Sequence, residues 1–88
     1  MKEIIVTVSN KLGLHARAAA MLVEGVSRFK SDIVLIKEGH EVDAKSIMGV
    51  MTLAAGKGTD ITVRADGPDE EAALEKVVEL FERKFGEE

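Results

Sequence analysis

Apolar residues in this 88-residue chain recur at two alternating periods, and that alternation limits the fold more than any single motif does. Lys2 to Val8 is rich in β-branched residues, with Ile4, Val6 and Val8 on one face of an expected strand and Glu3, Ile5 and Thr7 on the other. After a turn at Asn10 to Gly13, Ala19, Leu22, Val23, Val26 and Phe29 repeat every three or four positions, which predicts a helix from about Ala16 to Lys30. Ile33, Val34, Leu35 and Ile36 within Asp32 to Lys37, the turn Glu38-Gly39-His40 and then Glu41 to Ala44 read as a β-hairpin.

The pattern then returns to helical spacing. Ser46 stands before Ile47, Val50, Met51 and Ala54, and Gly56 occupies the place of a stop glycine, so a short second helix is expected over about Ile47 to Ala55. Thr59 to Ala65 alternates Ile61, Val63 and Ala65 with polar partners, a fourth half-buried strand. Gly67-Pro68-Asp69-Glu70-Glu71 is a helix start with proline early and acids in the first turn, and Leu74, Val77, Val78, Phe81 and Phe85 supply its apolar stripe. The order β-α-β-β-α-β-α, with alternating strands that need only one covered face, predicts an α+β two-layer sandwich with helices on one side of a mainly antiparallel sheet. A chain of this length has room for one domain, residues 1–88, and no repeat, linker or low-complexity run divides it.

Composition removes several function classes. The absence of cysteine excludes disulfide frameworks, thiol catalysis and thiolate metal sites, and fits a reducing, cytoplasmic setting. The apolar stretch Ile4 to Val8 is too short for a signal peptide or membrane helix, so no export or membrane insertion is expected. A net charge of −4 with no Trp and no Tyr offers neither the basic field nor the stacking surfaces of nucleic-acid binders.

One segment carries chemistry. His15 falls at the start of the first helix, where unsatisfied N–H groups and the positive end of the dipole favour an anion. A neutral imidazole nitrogen can take a phosphoryl group without a separate base. The backbone amides of Ala16 and Arg17 are the candidate donors to its oxygens, and Arg17 adds a permanently charged fork. Gly13 lets the chain turn tightly before the histidine. Spacing alone leaves His15 readable as a capping or surface histidine. His40, beside a turn glycine, reads as solvent-exposed surface.

Asn10-Lys11-Leu12-Gly13-Leu14-His15-Ala16-Arg17-Ala18-Ala19 closely resembles the active-site segment of the HPr family of histidine-containing phosphocarriers. Chain length, element order, Lys45-Ser46-Ile47-Met48-Gly49 and the final acidic helix extend the resemblance over essentially the whole chain. It implies an HPr-like open-faced sandwich, a four-stranded antiparallel sheet with three helices on one face. It also implies phosphorylation of His15 on Nδ1, with Arg17 stabilising the phosphoryl group. The phosphoryl would come from enzyme I, charged by phosphoenolpyruvate, and pass to enzyme IIA. Such a carrier turns over no small molecule itself, needs no cofactor or metal, and is expected to be a monomer.

The resemblance further implies that Ser46, first of all a helix N-cap, is a regulatory site for HPr kinase/phosphorylase, with a transcriptional regulator as a further partner. Partner contacts are implied for helix one and helix two, at Ala20, Ile47, Met48 and Met51. Ile47, Met48 and Met51 cannot all face inward if Val50 and Ala54 do, so some apolar surface should remain exposed. Two departures stand out. Ala18 replaces the proline usual after the active-site arginine, which loosens the first turn. Helix one offers Glu24 and Ser27 where lysines are common, so docking should lean on apolar contact. A regulatory or nitrogen-branch paralogue is the alternative within the family, and a small ligand-binding or interaction module of α+β fold is the alternative outside it.

Overall fold

The computed structural model describes residues 1–87. Four strands and three helices follow in the expected order: β1 (Lys2–Thr7), α1 (Ala16–Val26), β2 (Asp32–Lys37), β3 (His40–Asp43), α2 (Ile47–Met51), β4 (Asp60–Asp66) and α3 (Glu70–Glu82). The strands form one antiparallel sheet in the order β1-β4-β2-β3. Its register lines up Ile4, Val63, Leu35 and Val42 across the covered face, because side chains two apart on a strand share a face. The opposite face carries the row Glu3, Arg64, Val34 and Asp43, and Arg64 donates to both Glu3 (3.2 Å) and Glu41 (3.4 Å). The β2–β3 hairpin closes through Glu38 and Gly39, both at positive φ (49° and 83°), the backbone twist that a two-residue hairpin turn needs.

The three helices cover one face and bury Leu22, Val26, Val50, Leu74 and Val77 against Leu35, Ile61 and Val63. Burial of these and the other core side chains is the main favourable term set against chain entropy in a domain this small.

Two helices stop earlier than their apolar spacing predicts. α1 ends at Val26, where Ser27 turns its hydroxyl back to the Val23 carbonyl; Phe29 nevertheless reaches the core. A turn bond from Phe29 N to Val26 O (3.1 Å) places Phe29 where the next helical turn would have put it, so the i+3 spacing survives the helix. α2 ends at Met51, its last carbonyls taken by tightened i+3 bonds from Leu53 (3.2 Å) and Ala54 (3.1 Å). The left-handed stop residue is Ala54 (φ 51°) and not Gly56. The chain must turn there because Leu14 N–H bonds the Ala55 carbonyl at 2.9 Å. Phe85, counted in the stripe of the third helix, lies beyond α3 in a tight turn with Lys84 and itself at positive φ, and packs edge-on against Phe81 at 5.0 Å.

Candidate functional site

The site loop is built by hydrogen bonds that leave the histidine outside the core. Asn10, 1% exposed, donates to the Gly13 carbonyl (2.7 Å), and Gly13 N–H returns to the Asn10 carbonyl (3.2 Å), closing a turn. Gly13 sits at φ 70°, and a Cβ there would fall 2.4 Å from the Ala55 carbonyl oxygen. Only glycine allows both the left-handed backbone and this approach of the two loops. Leu14 is then buried as an anchor, and His15 emerges as the N-cap residue of α1 with extended backbone (φ −75°, ψ −179°).

No side chain caps α1, and its first turn holds no acidic residue. Ala19 N–H makes the first intrahelical bond to the His15 carbonyl (2.8 Å), so the amides of Ala16 and Arg17 precede the ladder and face outward with the positive end of the dipole. Ala16 and Arg17 are exposed, and among the described residues the Arg17 guanidinium makes no ion pair. His15 is 31% exposed. Its Nε2 lies 3.2 Å from Glu87 Oε2, and among the described residues its Nδ1 has no partner. The arrangement is a half-exposed ring with one nitrogen unpartnered among the described residues, at a helix start whose amides precede the ladder, with exposed Arg17 two positions on.

An apolar rim surrounds it. Leu12, Leu14, Met51, Ala54, Ala55 and Gly56 line a shallow depression with His15. Leu12 is 65% exposed and Met48 73%, with Ile47 and Met51 also exposed, so all three helix-two side chains in question face solvent while Val50 alone turns inward. Ala20 is half-buried one turn along α1 from Ala16. Ser46 is the N-cap of α2, its Oγ accepting from Gly49 N–H at 3.0 Å. His40 is exposed on the hairpin, away from His15, with Nε2 3.4 Å from Thr52 Oγ1.

Two residues of this site, Leu12 and Glu87, have no role assigned from the sequence. Leu12 had a signal, a large apolar side chain in a polar turn. Glu87 had none, being 72 positions from His15. Its carboxylate accepts from Leu12 N–H (2.8 Å) and Asn10 Nδ2 (3.4 Å) as well as facing His15. The Leu12 amide, foremost, holds that carboxyl below the usual glutamate range, with Asn10 and His15 adding to the effect against partial burial.

An open-faced α+β sandwich that presents a half-exposed histidine at a helix N-terminus, within a shallow and partly apolar surface, is the architecture of a small carrier-type domain. Comparison with known proteins gives the class its name. Residues 2–83 match the family described as the PTS HPr component phosphorylation site. The chain is 57% identical over 88 residues to the phosphocarrier protein HPr of Xylella fastidiosa strain Temecula1, covering 100% of this chain and 99% of that one. The crystal structure of HPr from Thermoanaerobacter tengcongensis superimposes with a TM-score of 0.96 at 48% identity, covering 100% of this chain and 99% of that one. The Bacillus subtilis catabolite-repression protein Crh, solved as a domain-swapped dimer, gives a TM-score of 0.76 at 46% identity, covering 96% and 97%. The chain belongs to the HPr family, the phosphoryl carriers of the phosphotransferase system. Among the described residues no helix is long and apolar enough to cross a membrane.

Proposed function

We propose that His15 is the phosphoryl acceptor and that Nδ1 is the attacking atom. The observation that carries this is the Nδ1 of a half-exposed ring at a helix N-terminus, unpartnered among the described residues, with exposed Arg17 two positions on. The Nδ1 lone pair attacks the phosphorus of phosphorylated enzyme I, the P–N bond to the donor's imidazole breaks, and that imidazole keeps the electron pair. The Ala16 and Arg17 amides and the Arg17 guanidinium take the equatorial oxygens, which carry the charge in flight. Enzyme IIA reverses the roles: its histidine attacks, and His15 leaves as the neutral ring. No cofactor enters these steps, and the chain acts as a carrier of the group rather than as an enzyme.

Leu12, Ile47, Met48 and Met51 with Ala20 form the face that meets both enzymes, since unbranched thioether side chains adapt to more than one partner. Ser46, at the edge of this face, is the regulatory position for HPr kinase/phosphorylase, and its phosphorylated form would address a transcriptional regulator. The likeness to Crh supports such a regulatory reading beside the carrier one. Residues 1–88 act as one cytoplasmic domain, monomeric so that His15 stays open.

The test is incubation with enzyme I and phosphoenolpyruvate, followed by mass measurement before and after acid. A single adduct that acid removes is expected, because phosphohistidine hydrolyses there while a phosphoserine ester survives. No acid-labile adduct would refute the proposal.

A further inference from the structure

Glu87 reaches the site by a route that only the folded chain provides. α3 ends at Glu82, and Lys84 and Phe85 then take left-handed backbone (φ 56° and 53°), as does Gly86 (φ 74°). Two successive non-glycine residues there are strained and need tertiary contacts to hold them. The turn is held by Phe85, 3% exposed and packed edge-on against Phe81, by Gly86 N–H on the Arg83 carbonyl (3.0 Å) and by Glu87 N–H on the Lys84 carbonyl (2.9 Å). Its product is one carboxylate set against two donors of the His15 loop, Leu12 N–H and Asn10 Nδ2, and against the ring nitrogen Nε2 of His15.

We infer that Glu87 is a positioning residue for phosphoryl transfer: by accepting from His15 Nε2–H it fixes the ring tautomer that leaves the lone pair on Nδ1. The inference rests on the reading of His15 as the acceptor. A neutral imidazole carries its proton on one nitrogen only, and a carboxylate, which has no proton to give, rewards the form that places it on Nε2. The main-chain donor of Leu12, at 2.8 Å, sets the carboxylate's direction, so the ring is oriented by the backbone of its own loop through Glu87. When phosphoryl arrives on Nδ1, the same carboxylate faces the positive ring that results and keeps the proton on Nε2, and no proton has to move.

This role makes an unusual demand on substitutions. In Glu87→Gln the fixed Leu12 N–H, at 2.8 Å the shortest of the three contacts, claims the amide oxygen over Asn10 Nδ2 at 3.4 Å, which turns the –NH2 toward His15. That group donates to Nε2 and favours the opposite tautomer, with the proton on Nδ1 where the phosphoryl must attach. The near-isosteric Gln variant is therefore worse than Glu87→Ala, which only removes the preference. A merely structural glutamate would give the reverse order.

The experiment measures the ring nitrogens of His15 by two-bond proton–nitrogen NMR, read on the alkaline plateau where the signals no longer change with pH, alongside the initial rate of His15 phosphorylation at subsaturating enzyme I. The parent is expected to carry its proton on Nε2, E87A a mixture, and E87Q mainly Nδ1–H. If about a fifth of E87Q rings keep the Nδ1 lone pair, its rate falls about fivefold, because only the competent fraction reacts. Equal tautomer populations in the three proteins, or E87A slower than E87Q, would overturn the role of Glu87. A parent that takes up no acid-labile phosphate would instead refute the reading of His15, while the tautomer measurement would still decide what Glu87 does to the ring.

Discussion

The N-termini of α1 and α3 pose the same electrostatic problem and solve it in opposite ways. At α3 the acids are local: Glu70 accepts from Gly67 N–H (3.1 Å) and pairs with the Met1 amine (3.2 Å), and Glu71 pairs with Lys2. Asp69 turns away from its own helix to take Lys30 N–H and Ser31 N–H, each at 2.9 Å, together with the Ser31 hydroxyl. Ser31 is fully buried, and a Cβ on Gly67 would fall 2.6 Å from its Cα, so this corner is both sealed and tightly packed. At α1 no side chain caps the amides among the described residues, and the Glu87 carboxylate serves the preceding loop and the histidine ring. An end that stabilises the fold sets its own acids, Glu70 and Glu71, against the dipole and ties its N-cap carboxylate to a neighbouring loop. An end that must receive a dianion leaves its amides open, at some cost in stability.

The largest expected effect comes from closing the open end. His15→Ser removes the nucleophile and supplies an N-cap hydroxyl, so acid-labile phosphoryl uptake should vanish while stability rises by about 1 kcal/mol, or about 4–8 °C in thermal midpoint for a domain of this size. Mass measurement and a melting curve read both quantities. A variant no more stable than the parent would mean that the open end costs nothing, and the contrast with α3 would lose its meaning.

Ser46 tests the one helix start that is both capped and close to the site. Ser46→Asp keeps an N-cap acceptor and adds a charge at the favourable end of α2, yet sets that charge beside Ile47, Met48 and Met51. Association with enzyme I should weaken by about 1–3 kcal/mol, about 5- to 150-fold, with the midpoint unchanged or raised. The rate of His15 phosphorylation at subsaturating enzyme I measures it, and an equally fast variant would separate Ser46 from docking.

Arg17→Ala removes the mobile charge from the open end and leaves the amides. Transfer to and from His15 should slow by about tenfold or more, with the melting curve unmoved, since the exposed guanidinium makes no ion pair among the described residues. Stopped-time phosphorylation with both enzyme I and enzyme IIA checks this, and unchanged rates with both would leave the amides as the whole cradle.

The smallest effect belongs to the sealed end and shows only in acid. The Ser31 hydroxyl, followed by the Lys30 and Ser31 amides, holds Asp69 down at about 2 against an ordinary carboxylate value of about 4. Between those values the unfolded chain binds the proton that the folded chain refuses, so stability rises with pH through that window and is lost as pH falls toward 2. Glu70 and Glu79 are lowered too, by the Gly67 amide and by Lys76 respectively, and share the acid limb. Asp69→Asn should flatten its part of the limb in urea midpoints taken from pH 5 to pH 2.5. An unchanged slope would mean that the corner does not hold its charge.

Sequence by itself determined the order and type of the elements, because a one-faced sheet and its covering helices each require their own apolar period. Val6, Leu22, Leu35, Val63 and Val77 carry that pattern and are buried where it places them. The resemblance of Asn10 to Ala19 likewise singled out His15, Arg17 and the turn glycine, since contiguous residues are fixed by local backbone alone. Chain register beyond the elements was not legible. Phe29 and Phe85 continue helical spacing after their helices have ended, and Ala54 takes the left-handed turn that Gly56 would accept at less cost. Those choices answer to contacts far away in sequence: Leu14 on Ala55, Phe85 on Phe81, Gly13 against the loop after α2. Glu87 is the extreme case. One glutamate in an acidic run reads like its neighbours, and only packing of Phe85 into the core, 70 residues from the histidine, decides that its carboxylate faces His15 Nε2.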